Sequence, residues 1–152
     1  MARPNLMVGG SLMVNTKLID VLLAEDNAGD ALLVARVVEE FPTRVNLYTV
    51  HDGMGALLLL ADGTFKPDLV IIDLNMPHIS GHGFLQRFHS DEVPVIVFSS
   101  SRNEADIQRA LQLGAREYVQ KPSTFAAYKE AVRGMIEKWV GAANSRFVFR
   151  AE

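Results

Sequence analysis

The chain has no cysteine. Disulfides, thiol catalysis and cysteine-based zinc sites are thereby excluded. An excess of one charge is missing too: 15 Lys and Arg against 18 Asp and Glu leave a net charge of −3. That balance provides neither a basic nucleic-acid surface nor an acidic tail, so no nucleic-acid partner is expected. Long apolar runs are also absent. The longest, Ala56 to Ala61, falls far short of the roughly 20 residues that cross a bilayer, and no membrane partner is expected. Gly9 and Gly10 interrupt any hydrophobic region of a secretory signal, so residues 1–16 are expected to be a flexible leader and the location cytoplasmic. What remains is ordinary for a globular protein. The 152 residues are 49% hydrophobic and 22% charged, sufficient for one domain with one core.

Within that composition, short apolar runs alternate with stretches of helical spacing. Leu18 to Ala24, Val45 to Val50, Asp68 to Asp73, Val95 to Phe98 and Tyr118 to Gln120 predict five strands. Asn27 to Glu40 carries apolar residues at Leu33, Val34, Val37 and Val38, a helical face that Asn27 or Asp30 would cap. Further helices are predicted over Asp52 to Leu60, a short stretch ending near His89, Glu104 to Leu113, and Thr124 to Val140. Strict β/α alternation predicts a doubly wound α/β domain: a parallel sheet with helices on both faces and functional loops at the strand C-termini.

Those strand ends carry matched chemistry. Glu25 and Asp26 follow the first strand, Asp73 ends the third, Ser99 the fourth and Lys121 the fifth. Three carboxylates suit Mg²⁺, which relieves their mutual repulsion and leaves room for a phosphate oxygen. An aspartate can attack phosphorus to form an acyl phosphate, with lysine and hydroxyl donors meeting the developing charge. Asp73, after the most apolar run, is the expected nucleophile.

Four motifs in order, VLLAEDN (Val21 to Asn27), LVIIDLNMPHISG (Leu69 to Gly81), VPVIVFSSS (Val93 to Ser101) and GAREYVQKP (Gly114 to Pro122), resemble the receiver domain of bacterial response regulators. The resemblance spans about Ile19 to Val140. It implies a flavodoxin-like (βα)₅ domain over residues 17–141, strand order 2-1-3-4-5, with residues 142–152 a short tail. It also implies roles. Asp73 would be the phosphoacceptor, with Mg²⁺ held by Glu25, Asp26, Asp73 and the backbone carbonyl of Asn75. Lys121 would be the family's lysine, preceding a cis-peptide candidate at Pro122. Ser99 and Tyr118 would form the hydroxyl–aromatic switch. The implied partners are a sensor histidine kinase or phosphotransfer protein, a downstream protein target, and a second copy of the chain. The ending VRGMIEKW resembles regulators that partner phytochrome-type kinases.

Such a protein is a stand-alone signalling switch, not an enzyme, although it promotes its own phosphorylation and dephosphorylation. Two other readings stay open: a haloacid dehalogenase-type aspartate phosphatase, which would need an acid where Asn75 stands, and a phosphorylation-independent binding module. Met54, Leu57, Leu58 and Leu60 are expected in the core, Trp139 is expected to pack on the sheet, and His78 and His82 are expected to be loop residues rather than a metal pair. Ser145 to Ala151 alternates polar and apolar residues like an edge strand, yet is expected to be disordered.

Overall fold

The computed structural model of the chain describes residues 18–42 and 44–151, with side chains described through Trp139; the expected leader, residues 1–16, lies outside this range. In chain order the elements are β1 (Ile19–Ala24), α1 (Ala28–Glu39), β2 (Val45–Val50), α2 (Gly53–Leu60), β3 (Leu69–Ile72), α3 (Gly81–Arg87), β4 (Val95–Ser99), α4 (Glu104–Gln112), β5 (Glu117–Gln120) and α5 (Phe125–Ala151). The strands form one parallel sheet in the order β2-β1-β3-β4-β5, as the resemblance implied.

Alternate residues of the same strands feed two cores. Val21, Leu23, Leu69, Ile71, Ile96 and Phe98 meet α1 and α5 through Val34, Val37, Val132 and Ile136. Leu22, Val70, Ile72 and Val97 face the other way, toward Ala56 of α2, Phe84 and Leu85 of α3 and Ala110 of α4. With helices on both faces, β3 and β4 are buried at every position, which is why they read as unbroken apolar runs.

Tight caps turn each strand into the next helix. The Asn27 side chain accepts the Asp30 N–H at 2.9 Å, Asp52 that of Gly55 at 2.7 Å, and Ser80 that of Gly83 at 3.1 Å. Asn27, not Asp30, therefore caps α1.

Several expectations need correction. Met54 and Leu58 are exposed, Leu58 by 69%, while Leu57 and Leu60 are half-buried. Helix α2 lies against the sheet edge, so only its Gly53–Ala56 stripe is fully covered. A run with no polar side gives periodicity nothing to orient. The last helix continues past Val140 to Ala151, so residues 142–151 extend α5 instead of forming the disordered short tail expected there. The Lys121–Pro122 bond is trans, the default geometry even before proline. Trp139 does pack on the core, its indole N–H donating to Glu117 Oε1 at 3.1 Å.

Candidate functional site

From β1 the chain crosses to β2 on one side and then to β3 on the other. Doubly wound sheets open a crevice at such a switch point, beyond the strand C-termini. Glu25 leaves β1 there, its N–H donating to Val50 O at 3.0 Å, and Asp73 leaves β3 beside it, its N–H donating to Ala24 O at 3.2 Å. These bonds prolong the ladders by one residue, so both carboxylates are aimed by the sheet itself. The Asp73 side chain is held at Oδ1 by the Leu74 N–H at 2.7 Å, and Glu25 Oε2 by the Asn27 N–H at 3.1 Å.

Lys121 starts two strands away from Asp73. Its N–H donates to Ser99 O at 2.8 Å, extending the β4–β5 ladder, and its four-carbon stem then crosses β4, with Nζ 5.8 Å from the Phe98 ring centre. The ammonium ends 2.8 Å from Glu25 Oε1, 3.0 Å from Asp73 Oδ2 and 3.0 Å from Asp30 Oδ2. Asp30 was anticipated only as a helix cap. The available signal was its place on the first turn of α1, just past the acidic pair.

One cation thus serves three anions, in a place with little water. Burial alone would lower the Lys121 pKa, but the hydrogen bond to Glu25 and the charges of Asp73 and Asp30 more than offset this and hold it above its ordinary value. Glu25, 2% exposed, goes the other way. Burial outweighs its bond to Lys121, Asp73 adds repulsion, and its pKa rises from 4.5 to about 7. Between those values the folded protein keeps a proton that the unfolded chain has released. The contribution of Glu25 to metal-free stability is therefore fully present below pH 4.5 and is lost as pH rises through 7, by roughly 3 kcal/mol at most. Denaturant titrations in chelator at pH 5 and pH 8 check this; a protein more stable at pH 8 contradicts it.

The same crowding makes a cation site. Oxygens of Glu25, Asp26 and Asp73 lie within 4.8 Å of one another, with Asp26 exposed at the mouth. An all-oxygen, carboxylate-rich, partly open donor set of this kind fits Mg²⁺, which binds through one or two carboxylates and retains several waters.

The response regulator receiver domain family model matches residues 21–133. The chain belongs to the response regulator receiver family. It is 31% identical over 129 residues to the probable methanogenesis regulatory protein FilR2 of Methanothrix harundinacea, covering 80% of this chain and 83% of that one. Among solved structures it is similar to the phosphorylated cyanobacterial phytochrome response regulator RcpA, with a TM-score of 0.78 and 30% identity over 83% of this chain and 96% of that one. It is likewise similar to the Mn²⁺-bound form of the response regulator Rcp1, with a TM-score of 0.74 and 27% identity over 80% of this chain and 94% of that one. The chain spans less than half the length of several other curated relatives. The receiver is thus a phosphorelay signalling module whose class of partner is a histidine kinase or phosphotransfer protein.

In this receiver Ser99 is fully buried at the end of β4, its Oγ 3.4 Å from the Ser101 N–H. Ser101 is the hub of the β4–α4 loop. Its carbonyl accepts the Tyr118 hydroxyl at 2.7 Å, and its own hydroxyl donates to Asp106 Oδ2 on α4 at 2.8 Å. Tyr118 is half-buried against the α2–α4 side of the core. The two expected switch residues are therefore joined through Ser101, the last residue of the VPVIVFSSS motif. Asn75 lies two residues beyond Asp73, exposed in the β3–α3 loop.

That loop is pinned by glycine. The Gly81 N–H donates to Leu74 O at 2.9 Å, and a Cβ on Gly81 would stand 2.5 Å from Asp73 O and 2.8 Å from Leu74 Cα. Backbone cannot yield as a side chain does. A Gly81→Ala variant should lose about 2 kcal/mol of stability. Thermal unfolding checks this.

The histidines do not converge. His78 Nδ1 pairs with Asp52 Oδ2 at 2.7 Å, while His82 Nε2 lies 3.1 Å from Asp106 O.

Proposed function

We propose that this receiver accepts a phosphoryl group from the phosphohistidine of a sensor kinase or phosphotransfer protein onto Asp73, and that the phosphorylated form signals by binding another protein. The observation that carries this is the Lys121 ammonium, 3.0 Å from Asp73 Oδ2 in a crevice where one oxygen each of Glu25, Asp26 and Asp73 crowd within 4.8 Å. A carboxylate attacks phosphorus, the P–N bond of phosphohistidine breaks, and the imidazole leaves with that electron pair. Glu25, Asp26, Asp73 and the Asn75 carbonyl would hold Mg²⁺, which would supply positive charge against the phosphoryl oxygens. Lys121 adds hydrogen bonds to the same oxygens and fixes the acceptor carboxylate between itself and the Leu74 N–H. Attack of water on phosphorus later restores Asp73 and releases inorganic phosphate.

Readout follows from the Ser99–Ser101–Tyr118 contacts. A phosphoryl oxygen drawing the Ser99 hydroxyl inward pulls on the loop that also anchors Tyr118 and α4. The face of α4, β5 and α5 then differs between the two states. The likeness to the phytochrome response regulator RcpA supports a phytochrome-type kinase as the donor. Incubation with acetyl phosphate and Mg²⁺ tests the acceptor chemistry: intact mass should rise by one phosphoryl group, and chelator should prevent the rise. No added mass with Mg²⁺ present would sink the proposal.

A further inference from the structure

Lys121 makes one contact that phosphoryl acceptance does not require. An ammonium has three donors, and all are engaged, by Glu25, Asp73 and Asp30. The first two acceptors leave the sheet at the crevice. Asp30 instead comes from the first turn of α1, its backbone N–H fixed by the Asn27 cap at 2.9 Å. Its side chain is 26% exposed, on the wall of a cleft of about 570 Å³ that Lys121 and Tyr128 also line. The Tyr128 hydroxyl is buried there with no acceptor in good geometry. Burial first, then the nearby Asp30 charge, keep that hydroxyl protonated.

We propose that Asp30 is a positioning residue that competes with the incoming phosphoryl group for Lys121 and so restrains the rate at which Asp73 is phosphorylated. The inference rests on Asp73 as phosphoacceptor. Asp30 Oδ2 and Asp73 Oδ2 each lie 3.0 Å from the same nitrogen. Asp30 thus adds a full negative charge within about 6 Å of the acceptor oxygen, and it engages a donor that the phosphoryl oxygens would otherwise use. Phosphoryl donors are anionic, so this charge opposes them. Through a half-exposed path, one unit charge at this distance changes a rate by roughly three- to tenfold.

The test compares Asp30→Asn, Asp30→Ala and Asp30→Glu with the wild type at saturating Mg²⁺, following initial phosphoryl uptake by intact mass. The Asn and Ala variants should accept from acetyl phosphate roughly three- to tenfold faster. The Glu variant, which keeps the charge, should stay near the wild-type rate. The gain should be larger with dianionic acetyl phosphate than with monoanionic phosphoramidate, a difference that a purely structural role for Asp30 would not produce. Uptake by Asp30→Asn at or below the wild-type rate overturns the proposal, as does a Glu variant as fast as the Asn variant. Absence of uptake in the wild type itself overturns the Asp73 reading and this inference together.

Discussion

An Asp73→Asn variant should gain no phosphoryl mass under conditions that fully label the wild type, and should fold at least as stably. The chemical half of this expectation follows from the nucleophile. An amide oxygen carries no charge to share with phosphorus, and loss of a nucleophile removes the covalent route outright. The second half follows from crowding. Oxygens of Glu25, Asp26 and Asp73 lie within 4.8 Å of one another, with Lys121 the cation that bonds to Glu25 and Asp73. Replacing one carboxylate by an amide of the same shape lowers that repulsion while leaving the Leu74 N–H an acceptor. A gain of about 1 kcal/mol without metal is reasonable for partly screened like charges. Added Mg²⁺ should then stabilise the variant less than the wild type, since a ligand has gone. Intact mass and thermal unfolding with and without Mg²⁺ measure all three. Labelling of the variant to the wild-type extent would move the acceptor elsewhere.

The sequence disclosed the strand-end residues because the sheet aims them. Glu25 and Asp73 follow buried runs, Ser99 ends one and Lys121 follows the half-buried β5, and parallel β/α alternation leaves one edge for all of them. Strand order then sets neighbours, which is how Glu25 and Asp73 come together from opposite sides of the first crossover. Asp30 was less legible for a physical reason. Its role depends on a lysine that crosses a whole strand to reach it, a tertiary reach that local pattern does not encode. For Ser101 the motif marked the position, while its link to Tyr118 and Asp106 lies in a carbonyl and a hydroxyl that every serine possesses. The exposed leucine on α2 has the opposite cause: Ala56 to Leu60 is apolar all round, and only the sheet edge decides which side is covered. For α5, Ser145 to Ala151 is expected to be disordered because its alternation fits no helical face, but a helix already under way needs only residues that do not stop it.

Lys121→Met should be the most destabilising change in the site. The methionine retains most of the stem across Phe98 and removes only the charge, so the loss reports the electrostatics rather than the packing. Without the ammonium, Glu25 and Asp73, both buried, lose the cation that pairs with them. Breaking a buried pair in this way costs about 3 kcal/mol, the lower end of the usual range because Glu25 can take up a proton instead. That escape sets the pH dependence. Glu25 is already pushed to about 7 with Lys121 beside it, and without that favourable partner its pKa moves higher still. The folded variant then holds a proton over a wider range above the unfolded carboxylate's pKa, so its stability falls more steeply with rising pH than that of the wild type. The deficit should be small near pH 6 and approach its full size near pH 8. Mg²⁺ should recover part of it, because a divalent cation among Glu25, Asp26 and Asp73 takes over the neutralising role, although without the lysine's donors phosphoryl uptake stays slow. Thermal unfolding at the two pH values, with Mg²⁺ or chelator, separates these effects. A deficit that is the same at pH 6 and pH 8 would show that Lys121 supports the fold through its stem and not through its charge.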